Sequence, residues 1–247
     1  MLHPLRRNPL PIAAHFRHSL VLAYAFPRET LEPLLPTTLE LDNHGESGLA
    51  AAAFVQTERL RPAFLPEALG LDFFLAGYRI FVRVAAQPSL RGLYILRSDT
   101  DRRSMVIFGN VLTHYRYRLA DARCRLTGNR LEIQIHPGVD VAADLASGSA
   151  PLPEGSPFAD EREARRFAGP LPYTFHDEQE TGSLVAVRGT RSGWEPKPVA
   201  VSVRELSFFS SGPFADADAR LANAFYVGGV DYRWERGRLL KSATGRD

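Results

Sequence analysis

Lysine is almost missing from this chain: Lys197 and Lys241 are the only two, and the rest of the 30 basic residues are arginines. Arginine is permanently charged and a poor nucleophile, so chemistry that needs a primary amine has two positions to draw on. Cysteine is scarcer still. Cys124 stands alone, which excludes an internal disulfide and any multi-cysteine metal site and makes the cytoplasm the expected compartment. No apolar run approaches roughly 20 residues, so no membrane span is expected. Pro4, Pro9 and Pro11 interrupt "MLHPLRRNPLPIAAHFRHSL" where a signal peptide would be apolar. Strong charge of one sign is also lacking: 30 basic against 28 acidic residues give little pull toward nucleic acid or an anionic membrane. The chain has no GxGxxG, neither lysine follows a glycine, and "NHGESGLA" misses the spacing of a serine nucleophile elbow.

What is present is β-strand patterning in 247 residues of 45% hydrophobic content, a size at which one β-rich domain is common. Residues 1–247 are read as a single domain, with 1–13 as an extended N-terminal arm. Phe16, His18, Leu20, Leu22, Tyr24 and Phe26 alternate, and so does "YRIFVRV", where Tyr78, Ile80, Val82 and Val84 share one face and Arg79, Phe81 and Arg83 the other. "LAAAAFVQTERL" reads as a strand, "QPSLRG" as a turn and "RLEIQI" as half of a hairpin. Helices fit "PRETLEPLLP", "DTDRRSMVIFGNVL" capped by Asp99, Thr100 or Asp101, and "SPFADEREARRFAG" capped by Ser156, with a further candidate at "DADARLANA". Residues 137–156, rich in Gly, Pro, Ala and Ser, read as a surface loop.

Chemistry concentrates in "GNVLTHYRYRLADARCRL", residues 109–126. Extended, it sends His114, Arg116 and Arg118 one way and Tyr115 and Tyr117 the other. Tyrosines inside with arginines in water, and a lined pocket, are both open readings. His15 and His18 lie on a strand at an odd spacing, which parts them to opposite faces, so neither a metal nor a cofactor is expected.

The stretches "LPTTLELD", "YRIFVRV", "RGLYILRSDTDRRSMVIFGNVLTHYRY", "GPLPYTF" and "LANAFYVGGVDYRWERG" resemble the domain-of-unknown-function 2071 family, which is grouped with acetoacetate decarboxylase-like proteins. The resemblance covers most of residues 14–240. It implies a mainly β (α+β) fold, a closed barrel or cone with a few short peripheral helices and a ligand cavity inside. In the decarboxylases a lysine forms a Schiff base with the substrate's keto group. Residues 1–196 here contain none, so that nucleophile does not carry over. The resemblance would also place a glutamate and an asparagine ahead of the strand arginine, where this chain has Leu75 and Gly77 before Arg79.

The leading expectation is a small anionic or carbonyl-bearing molecule held in the barrel. Arg79 would bind the anion, His114 would exchange a proton as the candidate catalytic residue, and Tyr115 or Tyr117 would hydrogen-bond an oxygen. A competing reading pairs Arg79 with Asp99 or Glu58 and gives it a structural role only. Two alternatives stay open: a lyase- or hydrolase-type enzyme using His and Tyr acid-base chemistry in the same cavity, and a non-catalytic protein-interaction module. Homo-oligomer formation is left open with them.

Overall fold

Side-chain alternation explains the main wall. In strand β1 (Ile12–Pro27), Leu20, Leu22 and Phe26 point to one side and Val21, Ala23 and Ala25 to the other, and both sets are buried. A strand apolar on both faces must be covered on both. The computed structural model, which describes residues 3–146, 150–169, 171–178 and 181–240, shows how.

The further strands are β2 (Leu39–Leu41), β3 (Ser47–Pro62), β4 (Leu71–Val84), β5 (Gln87–Thr100), β6 (Tyr117–Leu119), β7 (Asp121–Thr127), β8 (Arg130–His136), β9 (Val139–Asp144), β10 (Tyr173–Glu178), β11 (Ser183–Ser192), β12 (Lys197–Pro198), β13 (Ala200–Leu206), β14 (Arg220–Trp234) and β15 (Arg238–Leu240). The α-helices among the described residues are α1 (Arg28–Leu31), α2 (Arg103–Leu112) and α3 (Glu161–Ala168). The order β14-β1-β3-β4-β5-β10-β11 returns to β14 through pairs such as Gly189 with Trp234, which closes a hydrogen-bonded ring. Within it only β5 and β10 run parallel, and they share just two residue pairs. The result is a mainly β, cone-like closed sheet with short helices around it. A second sheet, β13-β9-β8-β7, covers part of the outer face, where Leu131, Ile133 and Val141 pack with Leu20, Leu22 and Ile80 in one buried cluster.

Helix α3 closes one end of the ring through a charged clasp. The buried Asp42 carboxylate accepts from both Arg83 and Arg91. Arg91 also donates to the Phe167 carbonyl at 3.1 Å and lies 4.7 Å above the Phe167 ring. At the other end lie α2 and residues 3–11, where the reading of an extended arm meets a 3-10 turn at His3–Arg6 and an Asn8 amide bonded to the Leu112 carbonyl. No helix of the described residues is long and apolar enough to cross a membrane.

Several local expectations are corrected. Residues 137–156 contain β9, whose Val139, Val141 and Ala143 are buried; Gly and Pro on its flanks mask a six-residue strand. Asp160, not Ser156, caps α3, accepting from the Glu163 amide at 2.7 Å, while Ser156 donates to the Ala222 carbonyl. None of Asp99, Thr100 and Asp101 is the N-cap of α2: Asp99 and Thr100 belong to β5, and Asp101 accepts from the Phe74 amide. "DADARLANA" enters β14 at Arg220 instead of forming a helix, and "QPSLRG" is already strand. The helix expected in "DTDRRSMVIFGNVL" does run to Leu112, but the extended stretch after it is divided: Tyr117–Leu119 and Asp121–Thr127 join different sheets.

Candidate functional site

The inside of the cone is narrow because it is filled from the wall, and open where the wall carries small residues. Ser19, Ala51, Ala53 and Gly77 line its middle. A β-carbon on Gly77 would meet no atom within 4 Å, so that position contributes empty space. Two residues on along β4, and hence on the same face, Arg79 extends into this space. The cavity measures about 140 Å³ and is bordered also by Arg191, Tyr232, Tyr115, Tyr117 and Trp194.

Arg79 is enclosed, yet it keeps some surface accessible to water-sized molecules because the cavity lies beside it. Among the described residues no carboxylate forms an ion pair with it. Burial pulls its guanidinium down to about 10, opposed by the nearby Tyr232 phenol, so it stays charged at neutral pH. Burial likewise raises Tyr115, Tyr117 and Tyr232 above the ordinary phenol value, in the last case against the pull of Arg191 and Arg79. These phenols are neutral hydrogen-bond donors at pH 7. Arg191, lowered by burial, lies 4.9 Å from the centre of the Trp194 ring. The cavity therefore presents positive charge, neutral O–H groups and aromatic walls.

The structure brings together three of the five residues singled out from sequence: Arg79, Tyr115 and Tyr117 all border the cavity. Asp99 does not join them. Leu96 is an extra residue on β5 opposite the Tyr78–Arg79 step, and Asp99 bonds Arg97 at 2.7 Å, under a guanidinium lying 4.9 Å from the Tyr78 ring and 4.6 Å from Phe208. Glu58 pairs with Arg17 instead. His114 also lies elsewhere. Thr113 caps α2 and Arg116 takes a positive φ of 53°, so residues 113–116 are not strand, and His114 and Tyr115 border different pockets. It lines a separate pocket of about 270 Å³ with Arg6, Arg116 and Asp177, its ring 4.3 Å from that of His176. Arg116 and Arg118 are exposed, as tyrosines-inside alternation requires.

Lys197, on β12, is exposed and does not border the cavity. Lys241 lies outside the described residues. Two cavity residues, Arg191 and Tyr232, gave no signal in sequence: each sits on an ordinary alternating strand, and only closure of the ring through β11 and β14 brings them to Arg79.

A second, larger cavity of about 380 Å³ adjoins the first at the α2 end, and Leu75, Tyr115, Tyr117 and Trp234 border both. Its remaining wall is mostly apolar, with Leu60, Leu71, Phe73, Met105 and Leu112 prominent. Among the described residues no group of three His, Cys, Asp or Glu side chains is placed to hold a metal ion.

Solved structures with the same architecture cover nearly all of the chain. An acetoacetate decarboxylase from Legionella pneumophila matches with a TM-score of 0.65 at 13% identity, over 94% of this chain and 88% of its own. The enduracididine biosynthesis enzyme MppR, complexed with pyruvate, matches at 0.60 and 12%, over 94% and 91%. An acetoacetate decarboxylase-like enzyme from Sphingomonas wittichii RW1 matches at 0.59 and 14%, over 95% and 94%. At such identities the likeness shows the fold. No curated protein matches the chain. Residues 13–231 match the domain-of-unknown-function 2071 family, described as an uncharacterized conserved protein, and the chain belongs to that family.

Proposed function

We propose that this protein binds a small organic carboxylate or other anionic, carbonyl-bearing molecule inside the cone, without Schiff-base lysine chemistry. One observation carries the reading: Arg79 stands charged in an enclosed cavity with no carboxylate paired to it among the described residues. A buried, unpaired guanidinium is costly, and a bound anion relieves that cost through charge-assisted, potentially bidentate hydrogen bonds. The neutral phenols of Tyr232, Tyr115 and Tyr117 supply donors for a carbonyl or second carboxylate oxygen. MppR, of the same fold, has been solved in complex with pyruvate, which supports a small carboxylate as the class of ligand. Exposed Lys197 argues against an imine, and the single free Cys124 supports a reducing, cytoplasmic setting.

A thermal-shift series with acetate, pyruvate, acetoacetate and succinate tests the reading, because a ligand of the folded state raises apparent stability by mass action. At least one acid should raise the transition saturably in the native chain and fail to do so in Arg79→Gln. Borohydride treatment with the keto acids should leave no adduct. A stable adduct on either lysine would overturn the non-imine part, and equal shifts in both proteins would overturn the role of Arg79.

A further inference from the structure

Resting on the proposal that an anion sits at Arg79, we infer that the ligand is amphipathic: its carboxylate lies in the inner cavity, and an apolar tail of several carbons runs into the chamber at the α2 end. The inner cavity alone, about 140 Å³, is well below the roughly 300–1,000 Å³ usual for small-molecule sites. The adjoining chamber of about 380 Å³ brings the joint volume into that range. Four side chains, Leu75, Tyr115, Tyr117 and Trp234, border both spaces, so no more than one layer of side chains lies between them.

The chemistry changes sharply along this axis. At the inner end are Arg79, Arg191 and Tyr232. Along β4 toward its start, the inward positions become Leu75, Phe73 and Leu71, and across from them Met105 and Leu112 of α2 complete a mostly apolar lining, with Arg61, Asn8, Thr57 and Thr113 also bordering it. No acidic side chain borders the chamber among the described residues. The tyrosines at the junction suit a molecule that changes character there, since a phenol offers an apolar ring and a polar tip. Leu69 and Phe108 at the chamber's rim are 64% and 59% exposed, so its mouth is apolar as well. An apolar cavity of this size costs stability when unfilled and takes up apolar molecules. A three-carbon acid would leave it idle.

The test is isothermal titration of the full chain with straight-chain carboxylates from acetate to decanoate, each below its micelle-forming concentration. Each added methylene should tighten binding by about threefold to fourfold, the value of one buried methylene, until the chamber is full, with one acid bound per chain. Leu71→Trp should flatten the series at its short-chain value, and Leu112→Trp provides a second obstruction on a different element. Affinity independent of length, with acetate binding still lost in Arg79→Gln, would overturn the tail and leave the anion site standing. Length dependence that survives Arg79→Gln, or more than one acid per chain, would also overturn it, by placing the tail elsewhere. Binding of no carboxylate at all would remove the anion site and the tail together.

Discussion

The Tyr232 hydroxyl occupies the space that a side chain on Gly189 would need: a β-carbon there would stand 2.0 Å from the phenol oxygen and 2.7 Å from Cζ. Gly189 lies on β11, pairs with Trp234 and so belongs to the seam that closes the ring. The absence of a side chain lets the phenol lie against β11 while Arg191 and Arg79 act on it electrostatically. Gly189→Ala should cost about 1–3 kcal/mol by overpacking and weaken carboxylate binding, because Tyr232 must turn away. Titration and thermal melting of the variant check this. A stability loss with unchanged affinity would show that Tyr232 takes no part in binding.

Asp42 holds α3 over the cone end. Its carboxylate is fully buried and shared between Arg83 and Arg91, the latter also bonded to the Phe167 carbonyl. Removing one member of a buried charge cluster leaves the others uncompensated, so Asp42→Asn should cost roughly 3 kcal/mol. Hydrogen exchange should rise in Glu161–Ala168 before it rises in β1 or β3. Uniform acceleration across the fold would contradict a clasp confined to α3.

Acid should weaken the fold in two steps. The buried His176 ring, whose nitrogens have no hydrogen-bond partner among the described residues, is lowered from 6.5 to about 3 by burial and then by the charge of His114, with Glu178 opposing and Arg7 assisting. A depressed folded value means the unfolded chain binds the proton first. The stability is whole above pH 6.5 and declines as pH falls toward 3. Glu178, hydrogen-bonded by Arg7 Nε at 2.9 Å and Nη2 at 2.6 Å, is lowered from 4.5 to about 2 by that bond, so its contribution is lost between pH 4.5 and 2. His176→Gln should flatten stability between pH 6.5 and 4.5 and leave the lower step, as urea unfolding across this range would report. An unchanged slope in the variant would assign the upper step to another group.

The inward Tyr117 and outward Arg118 are legible in sequence because both lie on β6, where side-chain direction follows local geometry, and the residues on either side of Arg79 are legible for the same reason. Asp99 was misplaced by one extra residue, Leu96, which shifts the β4–β5 register; a bulge leaves no mark in composition. Extended alternation already parts His114 from Tyr115 and Tyr117, so only one of the two faces can meet Arg79; ring closure brings the tyrosines there, and His114 borders the pocket with His176. Arg191 and Tyr232 were missed for a deeper reason. They are more than 100 positions from Arg79 in the chain, and only ring closure makes them neighbours.

Replacing Arg79 with methionine is the most direct test, because a structural arginine and a binding arginine respond with opposite signs. Methionine keeps the apolar length of the side chain and removes a buried charge that has no carboxylate paired to it among the described residues. The unliganded variant should therefore be more stable by roughly 1 kcal/mol, a rise of about 2–4 °C in Tm, while the shift produced by small carboxylates disappears. A variant that melts lower than the native chain and still responds to those acids would show Arg79 to be a packing residue and the cone interior no anion site.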